Sequence, residues 1–90
     1  MLERDIEKAL VAKVKSLGGT AEKFTSPNRR SVPDRIVILP GGMIIFVELK
    51  APGKKPTEAQ SRDHARRRVL GCDVRVIDSF EMIEGFPKEV

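Results

Sequence analysis

The chain has 90 residues, 40% of them hydrophobic, and a formal net charge of +4, with a sequence pI of about 9.6. That length makes one domain spanning residues 1–90, with a core small enough that dimerisation is a natural supplement to its stability. A lone Cys72 excludes an internal disulfide and a cysteine-ligated zinc site; the absence of Trp and Tyr argues against base stacking as the main binding mode; no apolar run is long enough to cross a bilayer.

Residues 2–17 are predicted as an amphipathic helix, because Leu2, Ile6, Leu10, Val14 and Leu17 form one apolar stripe. Gly18 and Gly19 end it. Thr20 to Phe24 is a short strand, and residues 25–32 are a loop by composition. Asp34 to Leu39 and Met43 to Ala51 are strands rich in Ile, Val and Phe, separated by Pro40-Gly41-Gly42. Their near-continuous apolar character implies that helices cover both faces of the sheet. A loop carries Gly53, Lys54 and Lys55. A second helix runs from Thr57 to Leu70, with Thr57 and Gln60 in capping-box spacing, and Gly71 stops it. Cys72 to Ile77 is a further strand, with Cys72 in core packing. Asp78 or Ser79 caps a short last helix through Glu84. Its apolar residues and those just beyond it, Phe80, Met82, Ile83 and Phe86, are expected to cover the sheet or join a dimer contact. The order predicts a small mixed β-sheet flanked by helices, an α/β sandwich, with the strand after the second helix parallel to the one before it.

Chemistry concentrates at one end of the hairpin. Residues two apart on a strand share a face, so Glu48 and Lys50 point the same way. If Pro40, Gly41 and Gly42 form a three-residue turn, Leu39 pairs with Met43 and Asp34 falls opposite Glu48. Directly opposed side chains are about 4.5–5.5 Å apart at Cβ. Two carboxylates that close repel unless a cation joins them, and oxygen ligands favour Mg²⁺ or Mn²⁺ over zinc. Lys50 could then hold a phosphate or help deprotonate an attacking water. The chemistry implied is metal-assisted phosphodiester hydrolysis. The plainer reading is a turn at Pro33-Asp34 and a solvent-facing Glu48 and Lys50, against which stands the apolar setting of Val47-Glu48-Leu49.

These residues resemble the PD-(D/E)XK nuclease superfamily. The longer strings Val32-Pro33-Asp34-Arg35-Ile36-Val37, Phe46 to Lys54, Pro56-Thr57-Glu58-Ala59-Gln60 and Leu70-Gly71-Cys72-Asp73-Val74 are similar to the VRR-NUC domain. This domain also forms the nuclease module of the Fanconi-associated nuclease. The resemblance implies an αβββαβ restriction-endonuclease-like core with Asp34 and Glu48 as metal-binding acids, the backbone carbonyl of Leu49 as a further ligand and Lys50 as the catalytic lysine. It assigns Gln60 to the site, whose other reading is the helix cap; both can hold. It also implies a glutamate on the first helix, Glu3 by its offset from Ile6, with Glu7 as the rival. Many family members carry a glycine in the loop before Pro33, where this chain has Ser31 and Val32.

The resemblance further implies a Mg²⁺ or Mn²⁺ endodeoxyribonuclease with no small-molecule cofactor and no membrane partner. Its substrate would be branched DNA, four-way (Holliday) junctions first, cut by a homodimer. The alternatives are a non-catalytic DNA-binding accessory subunit, a flap nuclease or a restriction-type endonuclease. Arg29, Arg30, Lys54 and Lys55 flank the acidic cluster and are expected to hold DNA phosphates. Arg66-Arg67-Arg68 wraps around a helix and reads as aiding solubility. His64, one turn after Gln60, could approach the site, although a lone helical histidine more often serves structure. The charged start Met-Leu-Glu-Arg-Asp lacks a signal-peptide core, so a cytoplasmic location in a bacterium or phage-infected host is expected.

Overall fold

A computed structural model describes residues 2–88. The elements are α1 (Glu3–Ser16), β1 (Thr20–Lys23), β2 (Arg35–Leu39), β3 (Met43–Leu49), α2 (Glu58–Val69), β4 (Asp73–Ile77) and α3 (Phe80–Gly85). They form a four-stranded sheet in the order β1-β2-β3-β4. β2 is antiparallel to its neighbours β1 and β3, and β4 is parallel to β3 across the α2 connection. This is the small mixed α/β sheet expected from the order of elements. Among the described residues no helix is long and apolar enough to cross a membrane.

The two faces of the sheet differ. Odd-numbered Val37, Leu39, Ile45, Val47 and Leu49 join Ile77 on one face and pack against Ile6, Leu10 and Val14 of α1, and against Ile83 and Phe86. Fully burying each such side chain stabilises the fold by about 1.5–3 kcal/mol. The predicted stripe of α1 is therefore correct at its centre. Its two ends, Leu2 and Leu17, remain exposed; they are the capping residues just outside the helix.

The even-numbered face faces α2, which has no apolar stripe; its buried residues are Asp63 and His64. The expected coverage of both faces is thus unequal. α2 covers the face with polar groups and leaves Ile44 52% exposed. Ser79 rather than Asp78 caps α3, its hydroxyl accepting from Met82 N–H. Cys72 lies just outside β4 and is half-buried.

Two local devices hold α1 on the sheet. Gly18, at φ 84°, donates to Lys15 O, and Gly19 donates to Val14 O, both at 3.0 Å. That pairing satisfies the last carbonyls of the helix and turns the chain into β1. Gly19 then passes against β2 so closely that an added Cβ would lie 2.4 Å from the Ile38 carbonyl oxygen and 2.8 Å from Leu39 Cδ2. A backbone carbonyl in a strand cannot swing away. Gly19→Ala should destabilise the protein by roughly 1–3 kcal/mol by overpacking, and Gly18→Ala by roughly 1–2 kcal/mol through its left-handed backbone. Urea unfolding of both variants checks this; a Gly19→Ala midpoint equal to that of the native chain would refute the close packing.

Candidate active site

The hairpin turn has the predicted length. Pro40, Gly41 and Gly42 connect β2 to β3, Leu39 pairs with Met43, and the register runs unbroken to Arg35 opposite Val47. Gly41 and Gly42 have φ of 90° and 80°, a conformation that side chains resist. One step beyond the ladder, Asp34 comes level with Glu48. Asp34 Oδ2 accepts from Leu49 N–H at 2.8 Å, so the chain end of one strand is tied to the site end of the other.

Glu48 is the centre of the arrangement. It is 1% exposed, an unusual position for an acid. Gln60 Nε2 donates to its Oε2 at 3.2 Å, and Lys50 Nζ lies 3.7 Å from the same oxygen. His64 Nε2 lies 3.6 Å from Oε1, too far for a hydrogen bond, so both atoms are buried without a partner. Burial, followed by the neighbouring Asp34 carboxyl, pushes the Glu48 carboxyl up to about 8; Lys50 opposes the rise and Glu3 adds to it. Burial lowers the pKa of His64, and the positive charge of Arg68 lowers it further.

Gln60 makes the helix cap and also contacts Glu48. Its side-chain oxygen accepts from Thr57 N–H at 2.9 Å, and its backbone N–H donates to Thr57 Oγ1 at 3.1 Å. With the amide oxygen committed to the cap, the amide nitrogen faces Glu48. Of the two glutamates on α1, Glu7 is engaged elsewhere: its Oε2 accepts from Arg35 Nε at 3.1 Å. Glu3 is exposed, and its charge reaches Glu48.

Arg29, Arg30, Lys54 and Lys55 are all exposed. Arg29 and Arg30 line a pocket of about 300 Å³ that includes Asp34. The run Arg66-Arg67-Arg68 does not behave as a solubilising patch. Arg66 and Arg67 donate to the two oxygens of buried Asp63 at 3.0 and 2.8 Å, and Arg68 donates to Val74 O at 2.7 Å. The Arg67 guanidinium lies 5.1 Å from the ring centres of both Phe24 and Phe46. Burial raises the pKa of Asp63, but the hydrogen bonds of Arg67 and Arg66 outweigh that and hold it low. This set anchors α2, and through α2 positions Gln60 and His64.

Among the described residues no group of three or more His, Cys, Asp or Glu side chains forms a ready-made metal cage. The acidic donors brought together are the Asp34 and Glu48 carboxyl groups, with one buried Glu48 oxygen lacking a hydrogen-bond partner. That set suits a hard cation such as Mg²⁺, which keeps several of its waters and needs few protein ligands.

No family model matches the chain. It is 56% identical over 85 residues to "Putative nuclease p44" of Acyrthosiphon pisum secondary endosymbiont phage 1, covering 94% of this chain and 91% of that protein. A solved structure described as "VRR_NUC domain" matches with a TM-score of 0.86 at 37% identity, covering 91% of this chain and 89% of its own.

The raised pKa of Glu48 has a measurable consequence in EDTA. Between its ordinary value of 4.5 and about 8, the folded chain keeps a proton that the unfolded chain releases. Stability therefore falls as pH rises through that window and levels off above it. Glu48→Gln cannot ionise, so its stability relative to the native chain should improve from pH 5 to pH 9. Urea midpoints of both proteins across that range provide the check, and a constant difference would mean that Glu48 titrates as an ordinary carboxylate.

Proposed function

The chain belongs to the VRR-NUC nuclease family, and from that premise we propose that it is a metal-dependent, structure-specific DNA endonuclease acting on branched DNA as a homodimer. Four-way junctions are the leading substrate. The observation that carries the reading is Glu48: a carboxyl group buried beside a second acid, with one oxygen lacking a hydrogen-bond partner. Such an arrangement is costly for a protein that only binds DNA, and an incoming cation relieves it.

Asp34, Glu48 and the carbonyl of Leu49 would hold Mg²⁺ or Mn²⁺, with Glu3 rather than Glu7 as the further acid, since Glu7 is paired with Arg35. A bound divalent ion supplies charge to polarise a phosphoryl oxygen and to acidify water. Lys50, 15% exposed at its side chain, would as an ammonium receive the negative charge of the scissile phosphate or, once it has lost its proton, take one from the attacking water. Gln60 keeps the Glu48 carboxylate oriented by donating to Oε2. Arg29, Arg30, Lys54 and Lys55 bring the phosphodiester backbone to this end of the sheet without reading bases.

Two opposed cuts in a four-way junction call for two sites related by a two-fold axis. Support for a second copy comes from exposed apolar side chains: Met43 and Ile44 at the start of β3, and Val69 and Leu70 at the end of α2. The parallel β3–α2–β4 connection gathers both pairs toward the end of the sheet away from Asp34. Exposed apolar surface of that kind marks association sites.

Cleavage of a labelled four-way junction, beside matched linear duplex and flap, tests the activity. We expect cutting in Mg²⁺ or Mn²⁺, none in EDTA, and a loss of at least about a hundredfold in Lys50→Ala, the scale of removing one preorganised charged group from a transition state. Binding without cutting under any metal would favour an accessory subunit; cutting of flaps alone would remove the junction assignment; site-dependent cutting of linear duplex would favour a restriction-type enzyme.

Light scattering on the eluting protein tests the assembly. The protein should give twice the mass of the 10.0 kDa chain, alone or, after the mass of the DNA is subtracted, on junction DNA. A monomer under both conditions at micromolar concentration would refute the homodimer.

A further inference from the structure

The arginines of α2 include two that the catalytic reading leaves without a role. Arg29, Ser31, Ala59, Arg62, Asp63 and Arg66 line a pocket of about 230 Å³ between the loop before β2 and the Ala59–Arg66 side of α2. Arg29 also lines the larger pocket that reaches Asp34, so the two spaces share one guanidinium. Three arginines therefore border a small open space next to the acidic cluster.

Their charge is not used up within the chain. Each oxygen of Asp63 already accepts, one from Arg66 and the other from Arg67. Asp63 is 4% exposed, so it works from below as an anchor. It holds Arg66 in place while the Arg66 side chain stays 42% exposed. Arg62 approaches Glu58 only at 4.0 Å, with both side chains largely in solvent, an arrangement that contributes little. Among the described residues no ion pair involves Arg29. The lining suits neither an apolar ligand nor a cation. It suits an anion with several acceptor oxygens, for which guanidinium forks and the Ser31 hydroxyl are good donors.

We propose that this pocket binds a backbone phosphate of the substrate strand, displaced from the scissile one, with Arg62 and Arg66 as its principal ligands and Arg29 as the bridge to the site. The proposal rests on the nuclease reading of the Asp34–Glu48 site and extends it. Asp63 fixes Arg66 before the strand arrives, which reduces the ordering cost of binding. The same helix carries Gln60, so the strand is gripped by the element that orients Glu48.

The test is binding of fluorescent four-way junction and single-stranded DNA in EDTA, over about 50 to 300 mM salt, where each phosphate contact contributes about 0.7–0.9 to the slope of log K against log salt. The proteins are the native chain, Arg62→Ala, Arg66→Ala, the double variant, and Lys8→Ala as a control for charge removed from the exposed face of α1. The DNA carries either 5′-phosphate or 5′-hydroxyl ends. The double variant should bind about tenfold or more weakly and lose about one unit of slope. Arg62→Ala should show part of this loss, Lys8→Ala should not, and the two kinds of end should behave alike. Unchanged slopes in Arg62→Ala and the double variant, or an equal loss in Lys8→Ala, would overturn the pocket. An effect confined to 5′-phosphorylated DNA would overturn the backbone assignment in favour of a terminal phosphate. If Arg66→Ala fails to fold, the exposed Arg62 still decides. Failure of the native chain to bind any DNA would be a different result, one that removes the nuclease reading itself.

Discussion

Glu48 reaches Asp34 only because the turn between β2 and β3 has three residues. Two of them, Gly41 and Gly42, hold positive φ, and that backbone sets Leu39 against Met43. A slip of one residue would send every side chain of β3 to the opposite face. Glu48 would then enter the apolar layer beneath α1, and Val47 and Leu49 would face α2. Core and site are therefore fixed by the same register. The apolar side chains of the odd positions enforce it thermodynamically, and the Leu49 N–H to Asp34 hydrogen bond closes it at the site end.

That register divides the molecule into two layers with different physics. Beneath α1 lies a dry core of aliphatic side chains, whose stability needs no specific partner atoms. Beneath α2 lies a polar layer in which nearly every contact is directional: Gln60 to Glu48, Asp63 to Arg66 and Arg67, Arg67 over Phe24 and Phe46, Arg68 to Val74 O. A helix with so little apolar surface gains little from burial. It is positioned by hydrogen bonds and by cation–π contact, which fix geometry more tightly than apolar packing does. For a site whose groups must be held to fractions of an ångström, such a layer is the more useful support.

The sequence was legible where local rules govern. The hydrophobic stripe of α1, the strand-turn-strand pattern, the Thr57–Gln60 capping box and the two-residue spacing of Glu48 and Lys50 each follow from neighbours along the chain. Boundaries came within one or two residues of those observed. The polar layer was not legible in the same way. Arg66-Arg67-Arg68 looked like a solvated run because nothing local shows that Phe24 and Phe46, more than twenty residues apart, meet beneath Arg67. His64 is expected from sequence to approach the site or to serve structure; it lies 3.6 Å from Glu48 and is 2% exposed, a burial that spacing along the helix does not reveal. Spacing favours Glu3 over Glu7 by its offset from Ile6, but nothing local shows that Arg35, on a different element, engages Glu7.

Gln60 shows why a structural and a functional reading of one residue need not compete. A capping box requires an acceptor at the third helical position, and glutamine and glutamate both provide one. Only glutamine also provides a donor. The cap occupies the amide oxygen, which leaves the amide nitrogen aimed at the Glu48 carboxylate. Helix α2 begins where it does because of Thr57 and Gln60, and the start of the helix places that nitrogen. Glutamate at this position would preserve the cap while setting a third carboxyl group against Asp34 and Glu48, where burial already disfavours a second charge. An amide rather than an acid thus suits the buried Glu48 beside it, while the position follows from the helix.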